Sequence, residues 1–430
     1  MTPYESFIFK RYEFNDRLKT LRLFYSYDDK LNFTETYKFD FSFAEYDKGA
    51  LDQAIQLLFF MAGVSYYKAY VPSKIQVSSG HIDHELATFL SKTYQRGLGE
   101  FFYLNQLDPQ TSINIPVTTS KLIELPPIQN LPGQIIGLGG GKDSLVSVEL
   151  MRDQPLIATW SLNHRTQLEP LVNKIGLPHF WVEREWDHKL LELTQQGAYN
   201  GHIPISAIFA CVSVIVSILT GYRDSVVSNE SSASDPTLSY LGFDINHQYS
   251  KSLEFEQDFQ DCIVRLFKGS LRYYSLLRPF SELRIAELFA KTGFDKYHDV
   301  FSSCNRAFTH DQNHMFWCGE CPKCAFVFLI FTPFIRKELL EELWQGKNLL
   351  LDPKLEPTYK RLLGITGTKP LDCVGEVKES RAAMKLAKAI YPELNKYEFD
   401  LPSDYNYQAW SEQSMPHEVF ELLQQKMAKF

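Results

Sequence analysis

The chain has 430 residues, of which 44% are hydrophobic, with seven cysteines and a formal net charge of −8. This length predicts two or three domains around a large core. The negative charge gives a nucleic-acid partner no electrostatic support at the level of the whole chain, so we predict none. The N-terminus lacks the basic-then-apolar pattern of a signal peptide, and closely spaced cysteines favour metal binding in a reducing compartment; we therefore predict a cytoplasmic protein.

Residues 1–128 form the first predicted region, an α+β region that is a candidate for substrate binding. Residues 20–27 and 33–39 alternate apolar with polar side chains, which is typical of a half-buried antiparallel hairpin. Helices are predicted for residues 46–61 and 85–96, the second ending at a glycine.

Residues 63–72 contain three tyrosines and a lysine. This composition favours an aromatic cluster of the core and its rim, and a substrate-binding surface is the alternative. Residues 122–132, which contain three prolines, are predicted to link this region to the next.

Residues 133–330 alternate short apolar runs with helical patterns. After a first strand at residue 134, strands are predicted at 156–160, 179–183 and 225–228. This alternation predicts an α/β fold with a doubly wound parallel sheet, in which ligands bind at the carboxyl ends of the strands. The polar loops 161–165 and 229–234 should therefore converge on one site.

The most apolar segment, residues 203–219, barely reaches the length that spans a membrane. It contains a proline and three serines, and no cationic residue anchors its start. We predict a buried helix of the α/β core and no membrane association.

The first predicted strand runs into a glycine loop whose residues are Gly139, Gly140, Gly141, Lys142, Asp143 and Ser144. A strand, a glycine turn and a helix N-terminus in this order form an anion-binding site. The P-loop motif is excluded because it requires Ser or Thr at the position that Asp143 occupies. The dinucleotide-binding fingerprint is excluded because Lys142 stands in place of its last glycine. An ordinary strand-to-helix turn is the remaining structural alternative.

The loop resembles the pyrophosphate loop of the PP-loop ATPases, S-G-G-x-D-S, with Gly139 in place of the first serine. This resemblance implies binding of ATP and its cleavage between the α and β phosphates. Further along the chain, Arg278 is a candidate for a bidentate phosphate contact, and a solvated surface arginine is the alternative.

Four cysteines near the end of this region have metal-ligand spacing: Cys304, Cys318, Cys321 and Cys324. Four thiolates suit tetrahedral zinc, and because four protein ligands close the site, this zinc is predicted to be structural. An iron–sulfur cluster or a grouping without metal are the alternatives. Residues 331–430 are predicted to form a helical C-terminal region, with helices at 337–344, 357–363, 380–390 and 417–428.

Residues 133–330 are similar to 7-cyano-7-deazaguanine synthase, which carries a glycine loop and a cysteine cluster in the same order. The chain resembles more closely the UDP-N-acetyl-α-D-muramoyl-L-alanyl-L-glutamate epimerase family. Besides the cysteine cluster, the segments that carry this resemblance are 63–68, 97–101, 136–144, 200–204, 229–234, 250–256 and 302–306.

This resemblance implies inversion of the terminal L-glutamate of a UDP-linked muramoyl dipeptide, with ATP converted to AMP and pyrophosphate through an acyl-adenylate. The glycine loop would bind the pyrophosphate and Asp143 would help to bind magnesium. Inversion needs two proton carriers. The candidates in the polar loops are His202, Glu230, Lys251 and Glu254.

Two other classes of protein are the alternatives. One is another AMP-forming PP-loop enzyme, such as an amidating or thiolating ligase or a deazapurine synthase. A thiolating enzyme is disfavoured because it needs a spare cysteine near the site, and Cys211 lies in the apolar helix. The other is a zinc-stabilised nucleotide-binding module without catalysis, which the Lys-Asp-Ser tail of the loop disfavours.

Overall fold

The structure, a computed structural model, describes residues 3–122, 124–128, 132–308 and 313–430. The predicted linker, residues 122–132, lies partly outside the described residues. All seven cysteines and all candidate site residues lie within them.

The strands alternate with helices through the middle of the chain, as predicted. In chain order the strands are β1 Ser6–Asn15, β2 Thr20–Tyr27, β3 Leu31–Asp40, β4 Lys74–Val77, β5 Gln134–Gly137, β6 Ile157–Leu162, β7 His179–Glu185, β8 Asp224–Val227, β9 Leu238–Tyr240, β10 Phe243–Ile245 and β11 Arg272–Ser275. The predicted hairpin is confirmed as β2 and β3, which pair antiparallel around Asp28 and Asp29, both with left-handed φ angles.

The helices cluster between the strands and in the last hundred residues. They are α1 Lys48–Ala62, α2 Val64–Tyr67, α3 His84–Gly97, α4 Gly99–Leu104, α5 Lys142–Met151, α6 Arg165–Ile175, α7 Lys189–Gln195, α8 Ile205–Thr220, α9 Leu253–Phe267, α10 Glu282–Thr292, α11 Phe294–Tyr297, α12 Pro322–Phe331, α13 Lys337–Glu342, α14 Glu356–Leu362, α15 Val377–Ala387 and α16 His417–Met427. The C-terminal helices α13 to α16 match the predicted ones to within a few residues.

Within the described ranges, nine strands form one sheet in the order β11-β8-β5-β6-β7-β3-β2-β1-β4. The first five are mutually parallel. From β5 the chain runs through β6 to β7 on one side, and then crosses to β8 and β11 on the other. The direction of winding therefore reverses between β5 and β8, and ligands bind at such a crossover, outside the carboxyl ends of the strands.

Helices cover both faces of the parallel part. Ile135 and Ile136 are neighbours on β5, point to opposite faces and belong to two separate hydrophobic cores. One core contains α1 and α8, and the other contains α5, α10 and α12. The predicted α/β fold is therefore confirmed, as a parallel sheet with helices on both faces that continues into antiparallel strands.

The parallel strands continue into the N-terminal strands through an antiparallel pairing of β7 with β3. A buried ion pair reinforces this junction, since Arg184 Nε lies 2.9 Å from Glu35 Oε1, and Tyr37 donates to the same carboxylate. β1 was not predicted because its first residues, from Ser6 to Phe9, are all buried and therefore do not alternate.

Two segments whose role was ambiguous in the sequence, residues 63–72 and 203–219, contribute to the hydrophobic core. Tyr66 and Tyr67 are buried, and the Tyr27 hydroxyl donates to both of their carbonyls, which favours the aromatic cluster over a substrate-binding surface. The apolar segment forms α8, with almost every side chain from Ala207 to Leu219 buried. No helix in the described part of the chain is long and apolar enough to cross a bilayer.

Candidate active site

The glycine loop connects β5 to α5 at the crossover of the sheet. Gly140 has a φ of 85°, and a Cβ there would lie 3.0 Å from both Leu168 and Phe308. Glycine is therefore strongly favoured at this position, because a larger residue would be strained by the backbone angle and crowded by these neighbours. A Cβ on Gly139, in contrast, would have no described atom within 4 Å. Packing thus does not require a glycine where the PP-loop pattern has serine.

The N-terminus of α5 is open. Its cap is Gly141, which has no side chain to accept the first-turn amides, and the Ser144 hydroxyl instead donates to the Gly141 carbonyl at 3.2 Å. Amides at an uncapped helix N-terminus, together with the helix dipole, attract an anion. The structure therefore brings the predicted anion-binding residues together, whereas nucleotide binding stays a prediction.

Lys142 is a buried cation between two carboxylates. Its ammonium lies 2.5 Å from Asp143 Oδ1 and in contact with Glu282, the first residue of α10. Burial would lower the pKa of Lys142, but the two carboxylates outweigh it and raise the pKa above its usual range. Lys142 therefore stays charged, and a phosphate would compete for it with both carboxylates.

The loop after β6 lies near the glycine loop through Phe308, and the end of β8 contacts α5; the convergence of both loops on one site stays a prediction. After β6, the His164 ring packs against Phe308 with centroids 5.2 Å apart, and Phe308 lies next to Gly140. After β8, the Ser228 hydroxyl is 2.7 Å from that of Ser147 on α5.

Glu230 follows in the loop after β8 and is buried. Burial and the negative charge of Glu282 raise the pKa of Glu230; Asp143 adds to this effect and Lys251 opposes it. Crowded carboxylates favour a divalent cation, because the cation removes their repulsion. Asp143 and Glu230 are therefore candidates to hold magnesium.

Arg278 lies behind these loops and is only 1% exposed, so the alternative of a surface arginine is wrong. Its guanidinium donates to Glu256 at 2.9 Å, to the Glu230 carbonyl at 2.6 Å and to the Lys251 carbonyl at 2.5 Å. Arg278 thus fixes two candidate residues relative to each other. Its predicted phosphate contact stays a prediction and would have to compete with these bonds.

Lys251 and Glu254 are close in sequence but differently placed. Lys251 Nζ lies 3.6 Å from the sulfur of Cys373, which is the main cause that raises the pKa of Lys251 above its usual range, against the effect of burial. Glu254 is exposed and pairs with Lys92 of α3 at 2.8 Å. Among the described residues, the structure does not bring Glu254 to the other candidates.

His202 lies beside a second histidine that the sequence did not single out. The rings of His202 and His247 are 4.7 Å apart; His247 Nδ1 bonds to Glu100, and His202 Nδ1 is 4.0 Å from the same carboxylate. Burial and the charge of His247 lower the pKa of His202 to about 4. For His247, bonds to Cys373 and Glu100 outweigh burial and raise the pKa to about 9. At neutral pH His202 is therefore neutral and His247 is charged.

Cys373 lies at the centre of this arrangement, in the loop between α14 and α15. Its sulfur is 3.6 Å from Lys251 Nζ and 3.8 Å from His247 Nε2. The argument that no spare cysteine lies near the site is therefore wrong. A single cysteine among helical segments has no spacing signal, so the sequence did not reveal it; Glu100, in contrast, falls in one of the segments that carried the family resemblance.

The four predicted zinc ligands come together. The sulfurs of Cys304 and Cys321 are 3.9 Å apart, those of Cys318 and Cys324 are 3.8 Å apart, and all lie within 4.8 Å of one another. Tetrahedral zinc with bonds of about 2.3 Å would separate its sulfurs by about 3.8 Å. The amides of Glu320 and Cys324 point at two of the sulfurs at 3.4 Å, as expected for thiolates. This geometry fits zinc.

The cysteine cluster adjoins both the glycine loop and Cys373. Ser302, two residues before Cys304, donates its amide to the Gly140 carbonyl at 3.0 Å. Lys323 lies between two ligands of the cluster and donates to the backbone carbonyl of Cys373. The cluster is therefore placed to hold the loop and the thiol in fixed positions.

An uncapped glycine loop at the crossover of a parallel sheet, beside buried carboxylates and lysines, defines an α/β protein with a candidate anion site. Residues 1–276 match the family model described as the MurL N-terminal domain, and residues 300–396 match the MurL C-terminal domain. The chain therefore belongs to the MurL family, whose relatives below are named UDP-N-acetyl-alpha-D-muramoyl-L-alanyl-L-glutamate epimerase. The family resemblance found in the sequence is confirmed.

Three relatives of that name are similar over most of this chain. The protein of Xanthomonas oryzae pv. oryzae (strain MAFF 311018) is 43% identical over 338 residues, 78% of this chain and 74% of its own length. The Salinispora tropica protein is 39% identical, covering 78% and 73% of the two chains, and that of a Micromonospora strain is 38% identical, covering 78% and 75%. No solved structure matched the chain significantly.

Proposed function

We propose that this chain inverts the terminal L-glutamate of UDP-N-acetylmuramoyl-L-alanyl-L-glutamate to D-glutamate in peptidoglycan precursor synthesis. ATP would activate the glutamate as an acyl-adenylate and would leave as AMP and pyrophosphate. The names of the relatives support the substrate. The observation that carries the chemistry is that contacts through Glu282 and Lys323 connect the uncapped N-terminus of α5 to groups that can take up and release protons.

Activation explains why a nucleotide site and a proton-transfer site adjoin. The α-hydrogen of a carboxylate is very weakly acidic, because its removal places a second negative charge beside the first. Adenylation removes the carboxylate charge, so that a base can take the proton and an acid can return one to the opposite face. Hydrolysis of the adenylate then releases AMP.

The nucleotide would be held by the glycine loop, in a fold of the PP-loop ATPase type. The backbone amides around Gly139 and Gly141 and the Ser144 hydroxyl would bind the pyrophosphate, with Lys142 supplying positive charge. Magnesium, which ATP brings, would neutralise the phosphates from a position near Asp143 and Glu230.

The proton carriers proposed from the sequence differ in how well their positions suit the role. His202 is neutral at neutral pH and can therefore accept a proton, and Lys251 is charged and can donate one. Glu230 suits a cation better than proton transfer, since it belongs to the crowded carboxylates. Glu254 is the weakest candidate, because it is exposed and paired with Lys92.

The four-cysteine cluster would hold a structural zinc. Sulfur spacings close to the tetrahedral value support this assignment, and closure by four thiolates leaves no position for a substrate. A thiolate site of this kind suits a reducing compartment, so we expect the protein in the cytoplasm. Elemental analysis should find about one zinc per chain. Iron, or less than about half of that amount of zinc, would contradict the assignment.

The strongest alternative is a thiolating enzyme of the PP-loop type, and Cys373 is the observation that favours it. Such an enzyme would use the thiol to carry sulfur to an adenylated base or acid. Family membership favours the epimerase, and the products distinguish the two, because an epimerase needs no sulfur donor.

The test is to incubate the purified chain with ATP, magnesium and the UDP-muramoyl dipeptide. AMP, pyrophosphate and D-glutamate released by acid hydrolysis are then measured. We expect all three to form together and none without the dipeptide. Release of ADP, or formation of AMP only with ammonia, a sulfur donor or tRNA, would refute the proposal.

A pair of variants connects this activity to the loop. Asp143→Ala should lower AMP formation by at least about 100-fold, the scale of losing a charge that acts at the transition state. The fold should survive, because Lys142 keeps its contact with Glu282. Asp153→Ala is the matched control, since this aspartate is exposed beyond the end of α5. An active Asp143→Ala variant would mean that the loop does not bind the nucleotide as proposed.

A further inference from the structure

Cys373, His247 and Glu100 form a connected series of thiol, imidazole and carboxylate. The sulfur lies 3.8 Å from His247 Nε2, and the other ring nitrogen, Nδ1, bonds to Glu100. Lys251 approaches the same sulfur at 3.6 Å. A base oriented by a carboxylate beside a thiol is the arrangement that activates cysteine in enzymes.

The charges around the sulfur favour its ionised form. Burial would raise the pKa of Cys373, but Lys251, the bond to His247 and the charge of Lys323 outweigh it and lower the pKa to about 7. Thiolates form in such partly enclosed, electropositive places. The other thiols outside the metal cluster differ, since burial among apolar residues raises the pKa of Cys211 and Cys262.

The thiol is also close to the place where an adenylate would form. Lys323 donates to the Cys373 carbonyl and lies 3.7 Å from Glu282, and Glu282 contacts Lys142 of the glycine loop. The side chains of Lys323 and Glu282 thus connect the glycine loop to the backbone of Cys373. The half-buried thiol therefore lies near the glycine loop, within the part of the chain that matches the MurL C-terminal domain.

We infer that Cys373 is a catalytic residue, one of the two groups that exchange a proton with the α-carbon of the activated glutamate. This inference rests on the proposed function. His247 and Glu100 are positioning residues that keep the thiolate charged and oriented. The sequence candidates do not include this group.

The proposed step balances without any further reactant. The Cys373 thiolate takes the α-hydrogen as a proton and becomes a thiol, while the electron pair of the C–H bond moves into the adenylated carbonyl as an enolate. A protonated group then returns a proton to the opposite face of the carbon, and Lys251, which is charged at neutral pH, is the candidate for this acid. The Cys373 thiol then releases its proton to solvent, because the charges of His247 and Lys251 stabilise the thiolate, and the acid regains a proton.

The experiment separates activation from proton transfer, using the full chain in D₂O. Wild type, Cys373→Ala and Cys373→Ser are given ATP, magnesium and the UDP-muramoyl dipeptide. Pyrophosphate release reports activation; deuterium at the glutamate α-carbon and D-glutamate report proton transfer. For both variants we expect pyrophosphate within about threefold of wild type in a single turnover, and proton transfer lower by about 100- to 10,000-fold. Cys262→Ala, a buried cysteine of α9, is the matched control and should behave as wild type.

Each other outcome overturns the inference. Epimerisation at the wild-type rate by Cys373→Ala would show that the thiol is not needed. Joint loss of pyrophosphate release and epimerisation would place Cys373 in nucleotide binding or in the fold. A substrate adduct on Cys373, seen by intact mass after acid quenching, would make the thiol a nucleophile instead. Wild type that activates the substrate but forms no D-glutamate would refute the proposed function itself.

The positioning role has its own measurement, which a merely structural role would not affect. The thiolate must be present for the base to act, so activity should fall as the pH drops below about 7. His247→Gln removes a positive charge facing the sulfur, whereas Lys251 and Lys323 remain. The acidic limb of the pH–rate profile should therefore move to higher pH, and an unmoved limb would show that His247 does not tune the thiol.

Discussion

The four-cysteine cluster and Cys373 contain the same side chain in two different surroundings. In the cluster, the sulfurs face one another at 3.8–3.9 Å and backbone amides point at them, which suits a shared cation. At Cys373 the sulfur faces the cations of Lys251 and His247, which favour the ionised form of a single thiol. The neighbours of a cysteine, rather than the cysteine itself, thus distinguish the proposed structural metal site from the proposed catalytic group.

The largest expected effect comes from removing a ligand of the four-cysteine cluster. Cys324 is fully buried, and Cys324→Ser would remove one of the four thiolates. Structural zinc contributes about 10–16 kcal/mol in zinc-finger peptides, as much as the whole stability of a typical domain. We therefore expect zinc to fall from about one per chain to near zero, and the melting temperature to fall by about 10 °C or more. Elemental analysis and calorimetry measure both, and a variant that keeps its melting temperature would contradict a structural role.

The second prediction separates the two cysteine sites. Lys323→Met removes the ammonium that donates to the Cys373 carbonyl, while Glu282 keeps its contact with Lys142. A hydrogen bond from a charged group contributes about 1.5–3 kcal/mol, and its loss should therefore lower the rate of epimerisation roughly 10- to 100-fold. Zinc content should not change. Lys337→Met, at an exposed position of α13, is the control; if Lys323→Met also lost its zinc, the two sites would be one structural unit.

The third prediction is a pH dependence at Cys373. Only the thiolate reacts with iodoacetamide, and the cations of Lys251, His247 and Lys323 hold the pKa of Cys373 at about 7 against the effect of burial. Alkylation without substrates should therefore accelerate as the pH rises to about 7 and level off above it. Cys262, whose pKa burial raises to about 12, should react slowly throughout. Peptide mass spectrometry measures both rates, and an inflection of Cys373 above pH 8.5, the ordinary value, would contradict the assigned surroundings.

The smallest expected effect extends the comparison to two neighbouring glycines. Gly139→Ser adds a side chain where no described atom lies within 4 Å, so AMP formation should change by less than about threefold, the size of a weak hydrogen bond. Gly140→Ala forces a methyl group against Leu168 and Phe308 at a φ of 85°, and it should lower AMP formation far more. Equal behaviour of the two variants would mean that the loop changes its conformation when ATP binds.

The sequence reveals the parts of the site that are contiguous. The glycine loop and the cysteine spacing can be recognised because the chemistry requires these residues within a few positions of one another. Cys373, His247 and Glu100 are far apart in the chain and meet only because α4, the segment around Tyr249 and the loop before α15 pack together. No local pattern encodes such a meeting.

The secondary structure shows the same difference between features that the sequence reveals and features that it does not. Strands that alternate or lie between helices, such as β2 and β6, were predicted, whereas β1 was hidden by its fully buried start. Arg278 could be interpreted as a surface residue because nothing local shows that Glu256 and two carbonyls will surround it. Burial of a charge is decided by distant partners, and that is why sequence patterns miss it.

The pairing of β3 with β7 has a consequence for how the chain folds as it is synthesised. Glu35 and Arg184, which bond across this junction, are 149 positions apart. The β1–β2–β3 meander can form early from local contacts, but the outer edge of β3 then has unpaired backbone groups until β7 leaves the ribosome. An unpaired edge next to aromatic residues invites pairing with another nascent chain. Pairing of β3 with β7 therefore removes a strand edge that could otherwise pair with another chain.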